Sequence, residues 1–289
     1  MRLTIFSLLM LLWFCVGCQT ATPLSATPNP APSKTASPHI ATPLALNPTP
    51  SNTPSKKVTN TPTATPTKRP PITPTLTPLP PREVAFISHG DRTQPYVALT
   101  FDAGESPDYP ASYDEAIVRI LLDTETPATI FVGGLWAQRY KPQTQALAAH
   151  PLFEIGNHSW SHPDFVQLSP ATIHQEIIQT QQIVARLTGT QPTLFRFPFG
   201  SYNEPALELV AENGLLTIQW DVVSGDPDPL ISAKDMVTHI MAEVQPGSII
   251  VMHMNGRGWH TAEALPTLIR KLREEGYTLV TVSQLLNIE

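Results

Sequence analysis

VALTFDAG, residues 97–104, decides the fold. Val97 to Phe101 are apolar or β-branched at every position instead of every second one. A strand of that composition is covered on both faces, which is the situation in a parallel sheet flanked by helices. The run ends on a carboxylate, Asp102, followed by Ala103 and Gly104. Runs of the same kind recur along the chain: ATIFVGG (128–134), FEIGNH (153–158), LFRFP (194–198), LTIQWDV (216–222), SIIVMH (248–253) and TLVTV (278–282). Helical stretches alternate with them. PATIHQEIIQTQQIVARL (170–187) has Ser169 to cap its start and Gly189 just past its end, and TAEALPTLIRKLREE (261–275) runs into Gly276. Alternating strands and helices predict an α/β domain over residues 83–289, a distorted or incomplete (β/α) barrel of about seven parallel strands.

In such a barrel the C-terminal strand ends converge on one face, where ligands bind. Asp102, His158, Arg196, Asp221 and His253 each fall at or just past such an end. In GNHSWSHPDF (156–165), His158 and His162 are spaced as i and i+4. Read as the opening of a helix, that spacing aims two imidazoles at one metal ion from one face. Asp164 reads as a helix cap, and Asp102 taken alone as a cap on the turn into Gly104. Together these residues describe a metal-assisted hydrolase.

Composition divides the chain. Residues 1–18, MRLTIFSLLMLLWFCVGC, have Arg2, an apolar stretch short for a membrane span, and small residues before Cys18, as in an export signal. CVGC at 15–18 resembles a bacterial lipobox, which implies a lipid on Cys18, a membrane-anchored lipoprotein and a location at the cell surface. Residues 19–82 hold seventeen of the 32 prolines and no acidic residue. With no apolar periodicity, that segment reads as a disordered tether reaching roughly 200 Å if fully extended. Residues 83–289 carry eleven basic and twenty-four acidic side chains, a net charge of −13 that argues against a nucleic-acid partner. Both cysteines lie in the leader, so a metal in the folded part depends on His and carboxylate ligands. No second folded domain or internal repeat is evident, and the protein reads as a monomer.

TFDAG, HSWSH, RFPFG, WDVVSGDP and VMHMN follow one another in the order of the polysaccharide deacetylase family (NodB-homology domain, carbohydrate esterase family 4), which residues 95–286 resemble. The resemblance implies that Asp102 is the base activating water and that His158 and His162 bind a divalent metal, zinc foremost, with cobalt, nickel or iron as alternatives. It implies that Arg196 holds Asp102, that the Phe199 amide stabilises an oxyanion, and that His253 is a general acid. Its supporting carboxylate maps to Asp226, although Pro227 stands where the family has Trp, and Asp221 is a rival. Trp136, Trp160, Trp220 and Trp259 are candidates for a sugar-binding wall, Trp160 foremost because it lies between the ligands. The implied reaction is removal of acetyl groups from an acetylated polysaccharide, chiefly from N-acetylglucosamine units. An O-acetyl xylan esterase and a non-catalytic carbohydrate-binding lipoprotein are the alternatives.

One position departs from the pattern. Ala103 stands where the family's second Asp completes the metal triad. Three outcomes follow: Asp102 stays the base and the metal makes do with two His or borrows Glu105 or Asp108; Asp102 becomes a ligand; or the site binds sugar without turnover.

Overall fold

The computed structural model describes residues 76–108 and 111–288. The expectations for residues 1–18, including lipidated Cys18, and for the tether up to residue 75 lie outside the described residues. Among the described residues nine strands make one sheet. Its order is β1 (Phe86–Ile87), β6 (Leu216–Ile218), β5 (Leu194–Phe195), β4 (Phe153–Asn157), β3 (Ala128–Val132), β2 (Tyr96–Ala103), β8 (Ile249–His253) and β7 (Val222–Val223), with β9 (Thr278–Val280) paired to the start of β2. Every strand pair is parallel. Around them lie α1 (Glu115–Asp123), α2 (Gly134–Arg139), α3 (Lys141–Ala149), α4 (Pro170–Thr188), α5 (Glu204–Glu212), α6 (Ala233–Glu243), α7 (Thr261–Glu274) and α8 (Val282–Leu286). None of these is long and apolar enough to cross a membrane.

The sheet exceeds the seven strands read from sequence because β1 is too short to show a pattern and LTIQWDV is two strands. β6 and β7 stand six places apart in the sheet order, about 29 Å in a flat sheet at ~4.8 Å per strand. Yet only residues 219–221 join them, a reach of about 14 Å at ~3.5 Å per residue. The sheet must therefore curl into a nearly closed barrel, with Gln219–Asp221 crossing the gap. Asp221 pins that crossing: its carboxylate accepts from Ile249 N–H (2.8 Å), Ser248 Oγ (2.8 Å) and Arg92 Nη2 (2.8 Å). Ser248 and Ile249 sit at the start of β8, so Asp221 belongs to the barrel seam and not to the face carrying His253.

β2 shows how the pleat builds core and site at once. Val97, Leu99, Phe101 and Ala103 are fully buried in the cluster shared with Ile117, Trp136 and Leu268 of the surrounding helices. Ala98 joins the barrel-interior cluster of Phe131, Leu194, Ile218 and Ile249, on which Val282 and Leu285 of α8 pack. Fully burying each large apolar side chain contributes about 1.5–3 kcal/mol. Above Ala98, two and four residues on, come Thr100 and Asp102, which place polarity at the barrel mouth. α4 is capped as its sequence predicts: Ser169 Oγ accepts from Thr172 N–H, and Gly189 adopts φ 79° at the C-cap. Contacts of the folded unit begin ahead of the compositional boundary at residue 83. Gln191 donates to Thr77 O (2.9 Å), Leu79 packs on the Phe165 cluster, and Arg82 N–H and Nε donate to Ala211 O and Gly214 O (2.9 and 3.0 Å).

The histidine pair does not open a helix. Residues 158–164 form an irregular turn in which Ser159 and His162 have φ of 65° and 57°, and the next element is a 3-10 helix, Phe165–Gln167, capped by Asp164. Two side chains hold this turn to α4. Glu176 accepts from Trp160 N–H (2.8 Å), Ser161 N–H (2.8 Å) and Ser161 Oγ (2.8 Å). Asn157 donates to Ile177 O (3.1 Å) and Gln181 Oε1 (3.1 Å) while its Oδ1 takes Ser159 N–H (2.9 Å). A buried carboxylate in a concavity of successive amides offsets the cost of left-handed backbone at non-glycine positions. Glu176→Ala strands three donors at once, and urea denaturation is expected to show a loss of about 2–4 kcal/mol, with Glu176→Gln in between. A loss below about 0.5 kcal/mol would mean that the turn needs no support from α4.

Candidate active site

Asp102 and Arg196 are both buried, Arg196 completely. Its guanidinium lies over the Phe131 ring, 4.0 Å from the centroid, with Trp220 5.5 Å away. Nη1 donates to Asp102 Oδ1 (2.9 Å) and Thr100 Oγ1 (2.8 Å), Nη2 to Gln219 O (3.1 Å) and Nε to Ile218 O (3.3 Å). Burial alone would raise the Asp102 pKa, but the opposing charge of Arg196, helped by His158 and His253, holds it below the usual carboxylate value. Asp102 is thus ionised at neutral pH, with Oδ1 committed to Arg196.

His158 Nδ1 lies 2.9 Å from Arg196 O, a carbonyl that only accepts, so the proton is on Nδ1 and the lone pair on Nε2. That Nε2 is buried without a hydrogen-bond partner, 3.6 Å from Asp102 Oδ2. Burial lowers the pKa of His158 against the pull of Asp102, and lowers that of His162 to about 3, with His158 adding to the effect. Both rings are neutral, their centroids 4.9 Å apart and nearly perpendicular. The end of β2 approaches them so closely that a Cβ on Gly104 would collide with His162 and crowd His158.

An orphaned, neutral imidazole nitrogen beside a second imidazole and an ionised carboxylate is a donor set that fits a divalent cation. The set is short of a ligand, however. Among the described residues no group of three or more His, Cys, Asp or Glu is placed to hold a metal ion. Glu105, one proposed substitute, is buried and chelated by Arg139 Nε at 2.8 and 2.9 Å, with Arg139 Nη2 on the same carboxylate. Asp108 is exposed on the cleft wall, and Ala103 lies in the apolar cluster.

His253 is the register partner of Asp102 on the neighbouring strand. Its Nδ1 pairs with Asp226 Oδ1 (2.8 Å), and Asp226 also takes His253 N–H (2.6 Å), Ser224 Oγ (2.9 Å) and Thr261 Oγ1 (2.7 Å). Burial lowers the His253 pKa, but the bond and charge of Asp226, with Asp102 adding, outweigh it and raise the value. Of the two rival carboxylates, the one at His253 is Asp226.

Asp102, His162, Asp226 and His253 line a cleft of ≈ 1040 Å³ walled by Phe199, Trp220, Val223 and Trp259. Phe199 sits at φ 59° in the turn after Pro198, its ring exposed and edge-on to His162 at 4.6 Å. Trp160 lines a different concavity with Gln179 and Gln182 and packs on Gly134, and Trp136 is core. Asn255, whose Nδ2 donates to Gly104 O (2.7 Å), and Ser224 and Thr261 were not singled out from sequence. They carry no spacing signal, being polar residues in loops or, for Thr261, at the first position of α7.

A family model described as polysaccharide deacetylase matches residues 89–218. The chain is 35% identical over 201 residues to the peptidoglycan-N-acetylmuramic acid deacetylase PdaC of Bacillus subtilis, covering 69% of this chain but only 40% of PdaC. It is 30% identical over 200 residues to a peptidoglycan-N-acetylglucosamine deacetylase of Bacillus cereus, covering 68% of this chain and 70% of that protein. A CE4 family pseudoenzyme from Bacillus anthracis is similar in structure at TM-score 0.63 and 27% identity, over 70% of this chain and 69% of that one. A solved mutant of that pseudoenzyme is described as having restored enzymatic activity. With these sequence matches and the parallel barrel beneath them, the chain belongs to the polysaccharide deacetylase family.

Proposed function

We propose that the cleft is a metal-dependent deacetylase site acting on an acetylated polysaccharide, with N-acetylated glucosamine-type units as the substrate class. The observation that carries this reading is the buried His158 Nε2, a lone pair with no partner beside His162 and Asp102. His158 and His162 would hold the ion, which when bound supplies Lewis-acid polarisation of the acetyl carbonyl and acidifies water. Asp102, ionised and fixed by Arg196, accepts the proton of the attacking water. The Phe199 amide, set by its left-handed turn, donates to the developing oxyanion. His253, its pKa raised by Asp226, delivers a proton to the leaving nitrogen. As a surface lipoprotein on a long tether, the domain would reach polymer away from its membrane.

A second reading, sugar binding without turnover, is favoured by Ala103 and by the absence of a three-ligand group among the described residues. The two separate in one assay. The full chain with added zinc is expected to release acetate from N-acetylglucosamine oligomers, and His158→Ala or a chelator to stop it. Binding without acetate at any metal supplement establishes the second reading, and release insensitive to both treatments rejects the metal mechanism.

Ala103→Asp is expected to raise zinc affinity at least about tenfold in competition with a chromogenic chelator. It is expected to cost about 1–3 kcal/mol of metal-free stability, since it buries a carboxylate in an apolar cluster. Unchanged affinity would mean that position 103 serves the core only. For pH, the raised pKa of His253 keeps its acid form present at neutral pH, so kcat/KM falls as pH climbs through that value. Asp226→Asn removes the carboxylate that chiefly raises it and leaves burial opposed only by Asp102, so the alkaline limb moves to lower pH. A pH–rate profile with an unmoved limb would take the acid role away from His253.

A further inference from the structure

We infer that Glu105 and Arg139 form a positioning clamp, which pins the backbone at Gly104 against the rings of His158 and His162 and so sets the affinity of that pair for a divalent cation. The inference rests on the deacetylase reading above and goes beyond it, giving a role to two residues outside its acid–base and ligand groups.

A metal-binding imidazole is ordinarily oriented by a hydrogen bond to the ring nitrogen that faces away from the ion. His158 has one, through Nδ1 to Arg196 O (2.9 Å). Among the described residues no other side chain hydrogen-bonds the ring of His162, whose backbone N–H donates to Ser159 Oγ (3.1 Å). That ring is fixed by what it touches. Phe199 meets it edge-on, with 4.6 Å between centroids, and Gly104 lies so close that a Cβ there would stand 2.2 Å from His162 Cδ2 and 3.2 Å from His158 Cδ2. Ala103 ends β2 on a methyl group buried in the apolar cluster, so β2 reaches His162 by contact at Gly104.

Gly104 has no room to retreat from the rings. A Cβ on Gly133, the first residue after β3, would lie 3.3 Å from Gly104 Cα and 3.5 Å from Glu105 N, so the chain at 104–105 passes between Gly133 and the imidazoles. A slide along the strand is the movement left open, and two attachments oppose it. Asn255 Nδ2 donates to Gly104 O (2.7 Å), and the buried Glu105 is held by Arg139 Nε at 2.8 and 2.9 Å and by Arg139 Nη2. Arg139 closes α2, whose N-cap is Gly133, so the clamp and the wall behind Gly104 belong to one short piece of chain. A half-exposed ion pair contributes little stability, but a guanidinium fork on a buried carboxylate fixes direction. A different use of Glu105 predicts the opposite sign. If Arg139 served to keep that carboxylate away from an ion, freeing it would supply a further ligand and tighten binding.

The test measures zinc affinity of the full chain by competition with a chromogenic chelator, beside urea midpoints that report folding. Glu105→Gln and Arg139→Gln are each expected to weaken zinc binding about tenfold. The double variant is expected to lose no more than about threefold beyond either single one, because the two side chains act as a unit. Arg139→Lys, which keeps the charge without the fork, is expected to fall in between. A pair that serves stability alone moves the urea midpoint and leaves zinc affinity unchanged; that result overturns the clamp, as does tighter zinc binding by Arg139→Gln. The imidazole carbon–proton resonances of the metal-free chain give a readout that needs no ion. In Glu105→Gln the His162 signal is expected to shift or broaden, while that of His158, tied to Arg196 O, stays in place. If the unaltered chain binds no zinc, the metal reading falls and the resonances decide the clamp by themselves: a His162 signal unmoved by Glu105→Gln overturns it.

Discussion

The ion pair between Arg196 and Asp102 is the constraint on which the site depends. A guanidinium in a barrel interior is costly unless its donors are all taken, and here they are divided between a carboxylate, the Thr100 hydroxyl and the carbonyls of Ile218 and Gln219. Those two carbonyls stand where β6 ends and the chain leaves for β7. One side chain therefore stabilises the seam of the curled sheet and orients Asp102. Its own backbone carbonyl also selects the tautomer of His158. Lysine cannot do the same, because a single ammonium has neither the reach in two directions nor the planar face that lies on Phe131. Loss of either partner leaves an unpaired buried charge, typically a cost of about 3–5 kcal/mol.

Structural support for His253 follows the same logic on the other side of the cleft. Asp226 is saturated by a backbone amide, two hydroxyls and the imidazole, so it cannot rotate away, and the imidazole gains a fixed direction. Because Asp102 and His253 are register partners on adjacent strands, the two groups face one point from fixed positions. A carboxylate and an imidazole are thereby set side by side on rigid strands, which is the preorganisation that the proposed acid–base work needs.

Much of this was legible in the sequence where the signal is local. VALTFDAG announced a doubly covered strand ending in a carboxylate, and Ser169 and Gly189 announced the ends of α4, because period, caps and strand-end charge are properties of neighbouring residues. What failed were inferences needing the third dimension. LTIQWDV reads as one strand because an apolar run looks the same whether it continues along one edge or crosses a gap, and with it Asp221 was assigned to the wrong end of the barrel. The i, i+4 histidines suggested a helix, whereas left-handed residues at 159 and 162 bring them together. That geometry is imposed by Glu176, fourteen residues beyond His162 and unmarked by any motif. Trp160 lies between the two histidines in sequence, but an irregular turn sends its side chain elsewhere, and the aromatic walls of the cleft come from Trp220 and Trp259.

Ala103 leaves the cleft without a carboxylate that would add negative charge beside the two histidines. With both imidazoles neutral and Asp102 balanced by Arg196, the donor set would offer a divalent cation almost no net compensating charge. The carboxylate of Asp226 is taken up by His253, Ser224 and Thr261. A cation bound beside the histidines would raise the local potential well above that of a site holding a second carboxylate, since Coulomb terms in a partly desolvated cleft exceed their values in water. Such a site would bind a metal less tightly on its own and more tightly once an anionic ligand is present, each strengthening the other by the same factor.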